Sequence, residues 1–281
     1  MKISVTTVML PHLDLKQTCE LLKKLGYDGM ELRVRRFPSE RANETPSPWG
    51  RHLTDLSPDN ILERADEVKS IAKEYGIEIA AFASACDASD LDHARLLAEG
   101  AKAVGCPAIR LGCRGYNGTV NYNELYDEAV RNYEKALEIT RQYGVKVLVE
   151  THGGTIHVSA SLAHRIVSNF DAKDIGVIYD PQNMVSDGYE TTQLAIELLG
   201  DYLAHIHAGG HKPVPNPPNE KGIITWSWPG CPMAEGLYDY SKMVSALRKV
   251  NYKYFISVED FRGEISAEER LDECIKFLRS L

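Results

Sequence analysis

Leu15 to Leu25 carries apolar residues at helical spacing and stops at Gly26, and Gly29-Met30-Glu31-Leu32-Arg33-Val34 then alternates as a half-buried strand does. The same unit recurs along the chain. A helix predicted over 60–75, opened by Ser57-Pro58 and closed by Gly76, feeds a strand over 77–83. Helices over 91–104 and 122–143 end at Gly105 and Gly144 and feed strands over 108–112 and 145–150. Further helices over 159–170, 191–199 and 240–250 lead into strands over 175–180, 203–207 and 254–259. With a first strand over 3–8 and a last helix over 267–281, the pattern predicts eight strands and eight helices.

Strands that alternate with helices build parallel sheets, and a nearly continuous apolar run such as Lys146-Val147-Leu148-Val149 is buried on both faces. Eight such units predict the α/β class and a single (β/α)8 TIM barrel spanning 1–281 as one domain. The rival is a doubly wound open sheet, which a glycine-rich phosphate loop after an early strand would favour. Neither GxGxxG nor GxxxxGK[ST] occurs. Two connections, Arg35 to Ser57 and Gly209 to Tyr238, exceed what joining a strand to a helix requires, and are expected to cover a site.

Barrel active sites lie at the carboxyl ends of the strands. Four successive strands here finish their apolar runs on an ionisable group: Val149-Glu150, Tyr179-Asp180, Ile206-His207 and Val258-Glu259. Any one of these alone reads as a helix cap or loop charge. Three carboxylates and an imidazole converging on one rim would repel without a cation, and a divalent metal resolves the conflict. The predicted ligands are Glu150, Asp180, His207 and Glu259. His205 lies two residues from His207 on the same side of its strand and reads as a supporting histidine.

The segments Leu25-Gly26-Tyr27-Asp28-Gly29-Met30-Glu31-Leu32, Val149-Glu150-Thr151-His152, Tyr179-Asp180 with Asn183, Ala204-His205-Ile206-His207 and Ser257-Val258-Glu259-Asp260 occur in this order along the chain. The ordered set resembles the sugar phosphate isomerase/epimerase family of xylose-isomerase-like barrels. That resemblance implies the same four-residue metal site and a single divalent ion, Mn2+ or Mg2+ in preference to Co2+ or Zn2+. It also implies a carbohydrate substrate, a ketose, keto-sugar or related polyol derivative, with proton transfer beside a carbonyl through an enediolate. Glu150 and Glu259 would exchange the proton, and His152, just beyond Glu150, is a further base or an orienting group. Substrate contacts are expected from Glu31, Asn183, His211 and Trp228. Glu31 and Arg33 point the same way on their strand and could equally form a buried ion pair. Arg110 and Arg114 carry the same ambiguity.

The chain departs from many relatives in having Asn183 where a histidine is usual, and Ala208-Gly209-Gly210-His211-Lys212 where a Lys-Asp pair follows the metal histidine. Two alternatives accompany the isomerase reading: a lyase or dehydratase using His152 as base, and a sugar-binding barrel without catalysis. His157 and His164, beyond the Gly153-Gly154 turn, read as surface or packing residues. Trp49, Trp226 and Trp228 all fall in the long loops, where aromatic faces suit sugar C–H surfaces or simple anchoring.

Composition narrows the partners. The net charge of −8 and the absence of a Lys/Arg-rich run oppose a nucleic-acid partner. Six scattered cysteines without a CxxC pair read as reduced thiols. The amino-terminal segment reads as a first strand rather than a signal peptide, and no apolar stretch has membrane-spanning length. A cytoplasmic protein with no membrane partner is expected, and a homo-oligomer is left open.

Overall fold

The computed structural model describes residues Met1–Leu281. Eight parallel strands close into a barrel in the order β1 (Lys2–Thr6), β10 (Phe255–Val258), β7 (Leu203–Ala208), β6 (Ile175–Tyr179), β5 (Lys146–Glu150), β4 (Ala108–Gly112), β3 (Glu78–Asp87) and β2 (Gly29–Arg33). Closure is made by β1, which pairs Ile3 with Ile256 of β10 and Thr6 with Glu31 of β2. The single (β/α)8 barrel expected from the periodicity is therefore the observed fold.

Local chemistry explains the outer helices. Asp14 caps α1 (Leu15–Leu25), accepting from the Gln17 amide while the Gln17 side chain reaches back to the cap backbone. Gly26 ends the same helix at φ +83°, a conformation in which a β-carbon is strained. Ser266 caps α9 (Ala267–Ser280) with the same reciprocal box through Glu269, and Ser159 caps α5 (Ala160–Val167) by accepting from the Leu162 amide. The helices bury their apolar stripes against the barrel in one continuous core that includes Leu22, Leu97, Tyr133, Ile166, Leu247 and Leu271.

The barrel lumen is different. Ala81, Ala108, Leu148 and Ile178 form a small apolar plug of their own. Buried Ser4, Thr6, Glu31, His205, His207 and Ser257 are the polar groups that strands facing that lumen contribute. Polar groups in so dry a place need partners; Glu31, His205 and His207 find them in one another, whereas the hydroxyls of Ser4, Thr6 and Ser257 have none.

Three elements differ from the expected boundaries. Residues 58–64 form irregular turns, and the regular helix α2 begins only at Ala65 (Ala65–Tyr75), because the Asn60 side chain is engaged with the Ser57 amide and the Asp55 carbonyl. β3 continues four residues past 83, across a register shift between Phe82 and Cys86. A short extra helix, α6 (Pro181–Asp187), follows β6, started by Asp180 and by a proline in its first turn. The loop after β7 carries a two-stranded hairpin, β8 (Val214–Pro215) with β9 (Trp226–Ser227). Both long loops leave the carboxyl ends of their strands and reach the end of β10. Trp49 packs on Phe261 at 5.1 Å, and Gly230 lies beside Arg262. No helix is long and apolar enough to cross a membrane.

Candidate metal centre

Four adjacent strands, β5, β6, β7 and β10, deliver one side chain each to the same point. Glu150 ends β5, Asp180 follows β6, His207 lies in β7 and Glu259 follows β10. His207 Nδ1 lies 3.1 Å from Glu150 Oε1 and 3.5 Å from both Asp180 Oδ2 and Glu259 Oε2. The four donor atoms fall within 4.8 Å of one another. Glu150, Asp180 and His207 are buried, and Glu259 is nearly so.

The orientation of His207 comes from beneath it. Its Nε2 lies 3.0 Å from Glu31 Oε2, and His205 Nε2 reaches the same oxygen at 3.1 Å. A ring whose Nε2–H is donated to a carboxylate presents its Nδ1 lone pair to whatever lies on the other side, the arrangement found behind metal-bound histidines. Glu31, expected among the substrate contacts, is instead fully buried on the inner side of His207. Burial opposes its ionisation, but the two histidines outweigh burial and hold the carboxyl well below the usual range. The alternative Glu31–Arg33 pair does not form; Arg33 turns to the Gly50 carbonyl at 2.9 Å.

The acids around Nδ1 are in mutual conflict. Burial and the neighbouring carboxylates push Glu259 up to about 8, and burial raises Asp180 as well. Burial opposes ionisation of Glu150 too, yet Arg110 and His207 hold it below its ordinary value. Arg110 Nη1 approaches Glu150 Oε2 to 2.5 Å, but Oε2 gains no well-directed hydrogen bond, so the contact is an ionic one. His207 is driven well above its normal value by the surrounding acids despite its burial. Three carboxylates and one imidazole in a dry pocket, with an oxygen lacking a directed donor, are the donor set a divalent cation satisfies.

The candidate ligand carboxylates are braced individually. Asp180 Oδ1 accepts the backbone amides of Gln182 and Asn183 at the start of α6, so it is helix cap and candidate ligand at once. Asn183 Nδ2 donates to Asp180 Oδ2 at 2.5 Å, which turns Asn183 toward the ligand. Gln182 Nε2 donates to Glu259 Oε2 at 3.3 Å. Gly209 is required by space. A β-carbon there would sit 2.1 Å from the Glu259 carbonyl oxygen and from Gln182 Oε1. The Tyr240 hydroxyl completes the brace, donating to the Gly209 carbonyl at 2.6 Å and accepting its amide at 2.9 Å.

The remaining expected residues lie farther out. His152 is exposed, with Nδ1 2.7 Å from the Gly153 carbonyl and no tie to a ligand side chain. His211 is half-buried, bridges to Gly230, and leaves Nδ1 buried without a partner. Trp228 is half-buried against the core, whereas Trp49 and Trp226 are exposed. His157 belongs to the site more closely than its sequence position suggests. It is buried, its Nδ1 lies 2.6 Å from the Glu150 carbonyl, and burial pushes it down to about 4, so the neutral ring donates to the ligand's own backbone. The only sequence signal was the Gly153-Gly154 turn that folds it back.

Comparison with known proteins agrees with this architecture. The family described as xylose isomerase-like TIM barrel matches residues 19–281. No curated protein sequence matches the chain. Among solved structures, the chain is similar to the 3-keto-D-glucoside 4-epimerase YcjR from E. coli, at 16% identity and a TM-score of 0.73, over 100% of both chains. It is similar to the probable 3-DHS dehydratase AsbF of petrobactin synthesis from Bacillus anthracis, at 18% identity and a TM-score of 0.74, over 99% of both. The IOLI protein, whose structure holds a zinc atom, is 20% identical with a TM-score of 0.72, over 98% of this chain and 96% of that one. At such identities the likeness establishes the fold.

Proposed function

Because the chain belongs to the xylose isomerase-like TIM barrel family, we propose that it is a divalent-metal-dependent sugar isomerase or epimerase acting by proton transfer beside a carbonyl. The observation that carries this reading is the placement of Glu150 and Glu259 on either side of Asp180 and His207, with Glu31 fixing His207 from behind. Glu150, Asp180, His207 and Glu259 would hold the ion, and the preponderance of carboxylate oxygens favours Mn2+ or Mg2+, with Co2+ or Zn2+ also accommodated. When bound, such an ion polarises the carbonyl of a keto-sugar and stabilises the enediolate.

The chain's own residues do the rest. Two strands, β6 and β7, separate Glu150 from Glu259 around the barrel, so the two carboxylates reach a bound sugar from different sides. One withdraws the proton beside the carbonyl and the other returns it. Arg110 keeps Glu150 ionised, the form in which a base must start. Gln182 and Asn183 hold Glu259 and Asp180 in place, so that neither must reorganise as charge develops. The two long loops, with Trp49, Trp228 and His211, cover the mouth and supply the sugar-facing surface. The substrate is a ketose, keto-sugar or related polyol derivative, and the protein works in the cytoplasm without a nucleic-acid or membrane partner.

A second reading is favoured by one specific feature. His152 stands free at the rim two residues beyond Glu150, where it could remove a proton whose loss expels a β-hydroxyl or an aglycone. That reaction is a lyase or dehydratase reaction on the same metal. The test is a panel of ketoses and 3-keto-glycosides incubated in D2O with the Mn2+-loaded protein and followed by NMR. A rearranged sugar labelled with deuterium at the carbon beside the carbonyl supports the isomerase or epimerase. An unsaturated product or a released aglycone supports the lyase. A rearranged product without label refutes proton transfer.

A further inference from the structure

The inward side of β2 carries charge upward past the metal centre. Glu31 lies beneath His207, and Arg33 and Arg35 follow at two-residue steps, which sends all three toward the same side of the chain. Arg33 is 6% exposed, and its Nε has no hydrogen-bond partner. Arg35 donates Nε to the Ala83 carbonyl at 3.1 Å, with its guanidinium 5.6 Å above the Trp49 ring. Their neighbours in the loop are neutralised: Arg36 is paired with Asp59 and Arg41 with Glu44. Arg33 and Arg35 form no such pair. The acids that act on them, Asp55 for Arg33 and Glu259 and Glu150 for Arg35, do so from a distance.

A buried Arg33 beside a half-buried Arg35 that disfavours its charge is an unusual arrangement in a chain of net charge −8. With Trp49 and His93 they line a cavity of about 290 Å³. The fork of an arginine matches a carboxylate or a phosphate, and the unpartnered Arg33 Nε supplies a ready donor. A divalent ion at the metal centre would balance Glu150 and Glu259 and leave Arg35 to a second anion.

We propose that this cavity is a subsite for an oxyanion, a carboxylate or phosphate group carried by the substrate, gripped by Arg33 and Arg35 beside Trp49. The word substrate rests on the function proposed above; the affinity for an oxyanion does not. The pair would select an acidic sugar over its neutral counterpart and fix which end of the sugar faces the metal.

Calorimetry on the Mn2+-loaded protein, with inorganic phosphate and with malonate as probes, reads the subsite without any turnover. The expected result is saturable binding of at least one probe, weakened about ten- to a hundredfold by Arg33→Gln and by Arg35→Gln, the scale of a charge-assisted hydrogen bond. Preference for phosphate or for malonate tells which oxyanion the site takes. Binding that Arg33→Gln leaves unaltered lies on the metal or elsewhere and overturns the proposal, as does no binding of either probe. If Arg33→Gln fails to fold, Arg33→Lys keeps the charge but loses the fork, and it is expected to weaken binding about tenfold. The second arm compares kcat/KM for a neutral ketose, its uronate and its phosphate. The anionic-to-neutral ratio is expected to fall about ten- to a hundredfold in the Arg35→Gln protein. Phosphate or malonate binding that depends on Arg33, in a protein that turns over no sugar, sustains the subsite and refutes only the proposed reaction. Turnover of neutral ketoses with no probe binding does the reverse.

Discussion

Replacing Glu31 by glutamine removes the one charge that stands behind His207 while keeping nearly the same volume. The wild-type carboxylate accepts from both His205 and His207 through a single oxygen, at 3.1 and 3.0 Å. A glutamine carbonyl can still accept one of these bonds, but its amide adds donors to a place already crowded with imidazole donors. His207 then loses the partner that fixes its Nδ1 toward Glu150, Asp180 and Glu259. Losses of this kind weaken metal affinity by about ten- to a hundredfold, or roughly 1.4–2.8 kcal/mol. One effect works in the opposite direction. In the metal-free protein the surrounding acids, Glu259 first and Glu31 next, hold His207 protonated, so an incoming ion must displace a proton. Glu31→Gln eases that displacement, so the loss of affinity is expected to be larger at the higher of two pH values, where fewer protons compete. The assay is Mn2+ binding by chelator competition at pH 6.5 and pH 8.5 in wild type and variant. Equal affinities at pH 8.5, with the variant folded, would refute the role assigned to Glu31.

Glu150→Gln and Glu259→Gln each retain one ligating oxygen but remove a base, and turnover at saturating metal is expected to drop about a hundredfold or more. Initial rates over a Mn2+ titration check this, and a variant rescued fully by excess metal would have been only a ligand. His152→Ala separates the two reaction classes: a drop of about ten- to a hundredfold fits an orienting group, whereas complete loss at full metal occupancy fits the base of a lyase. Acid sensitivity is the third expectation. His157 is held neutral at about 4 in the folded chain against about 6.5 unfolded, so the unfolded state binds more protons between these values. The resulting stability, of order 3 kcal/mol, is complete above about pH 6.5 and lost as pH falls toward 4. Urea unfolding of metal-free wild type and His157→Gln should show a smaller pH dependence in the variant, and identical slopes would contradict the assignment.

What could be read from the chain follows from how local each signal is. The repeating helix–glycine–strand unit is written within about 30 residues at a time, and the closed barrel follows from it. The four converging residues, Glu150, Asp180, His207 and Glu259, were legible because each ends an apolar run at a strand's carboxyl end, a position that the barrel topology alone makes convergent. Roles that depend on distant partners were not legible. Glu31 meets residues 174 and 176 positions away, and nothing near it in sequence signals a place beneath a histidine rather than beside a sugar. The ambiguity of Arg110 is resolved only by its approach to Glu150 on the neighbouring strand. α6 escaped because its seven residues are too few to show a period, and because Asp180 read as a ligand also serves as its cap. Gly209, in the run that stands where many relatives carry a Lys-Asp pair, looked like part of a lost contact. In the structure it is the residue that lets β7 pass against the Glu259 backbone.

The central claim is that Glu150, Asp180, His207 and Glu259 bind one divalent cation through His207 Nδ1 and three carboxylates. Crystals grown with Mn2+ and measured at the manganese absorption edge test it directly. The account predicts one strong anomalous peak per chain, about 2.0–2.3 Å from all four residues, with His207 Nε2 still on Glu31. No peak there, a peak elsewhere in the barrel, or a cluster of several metals would contradict it.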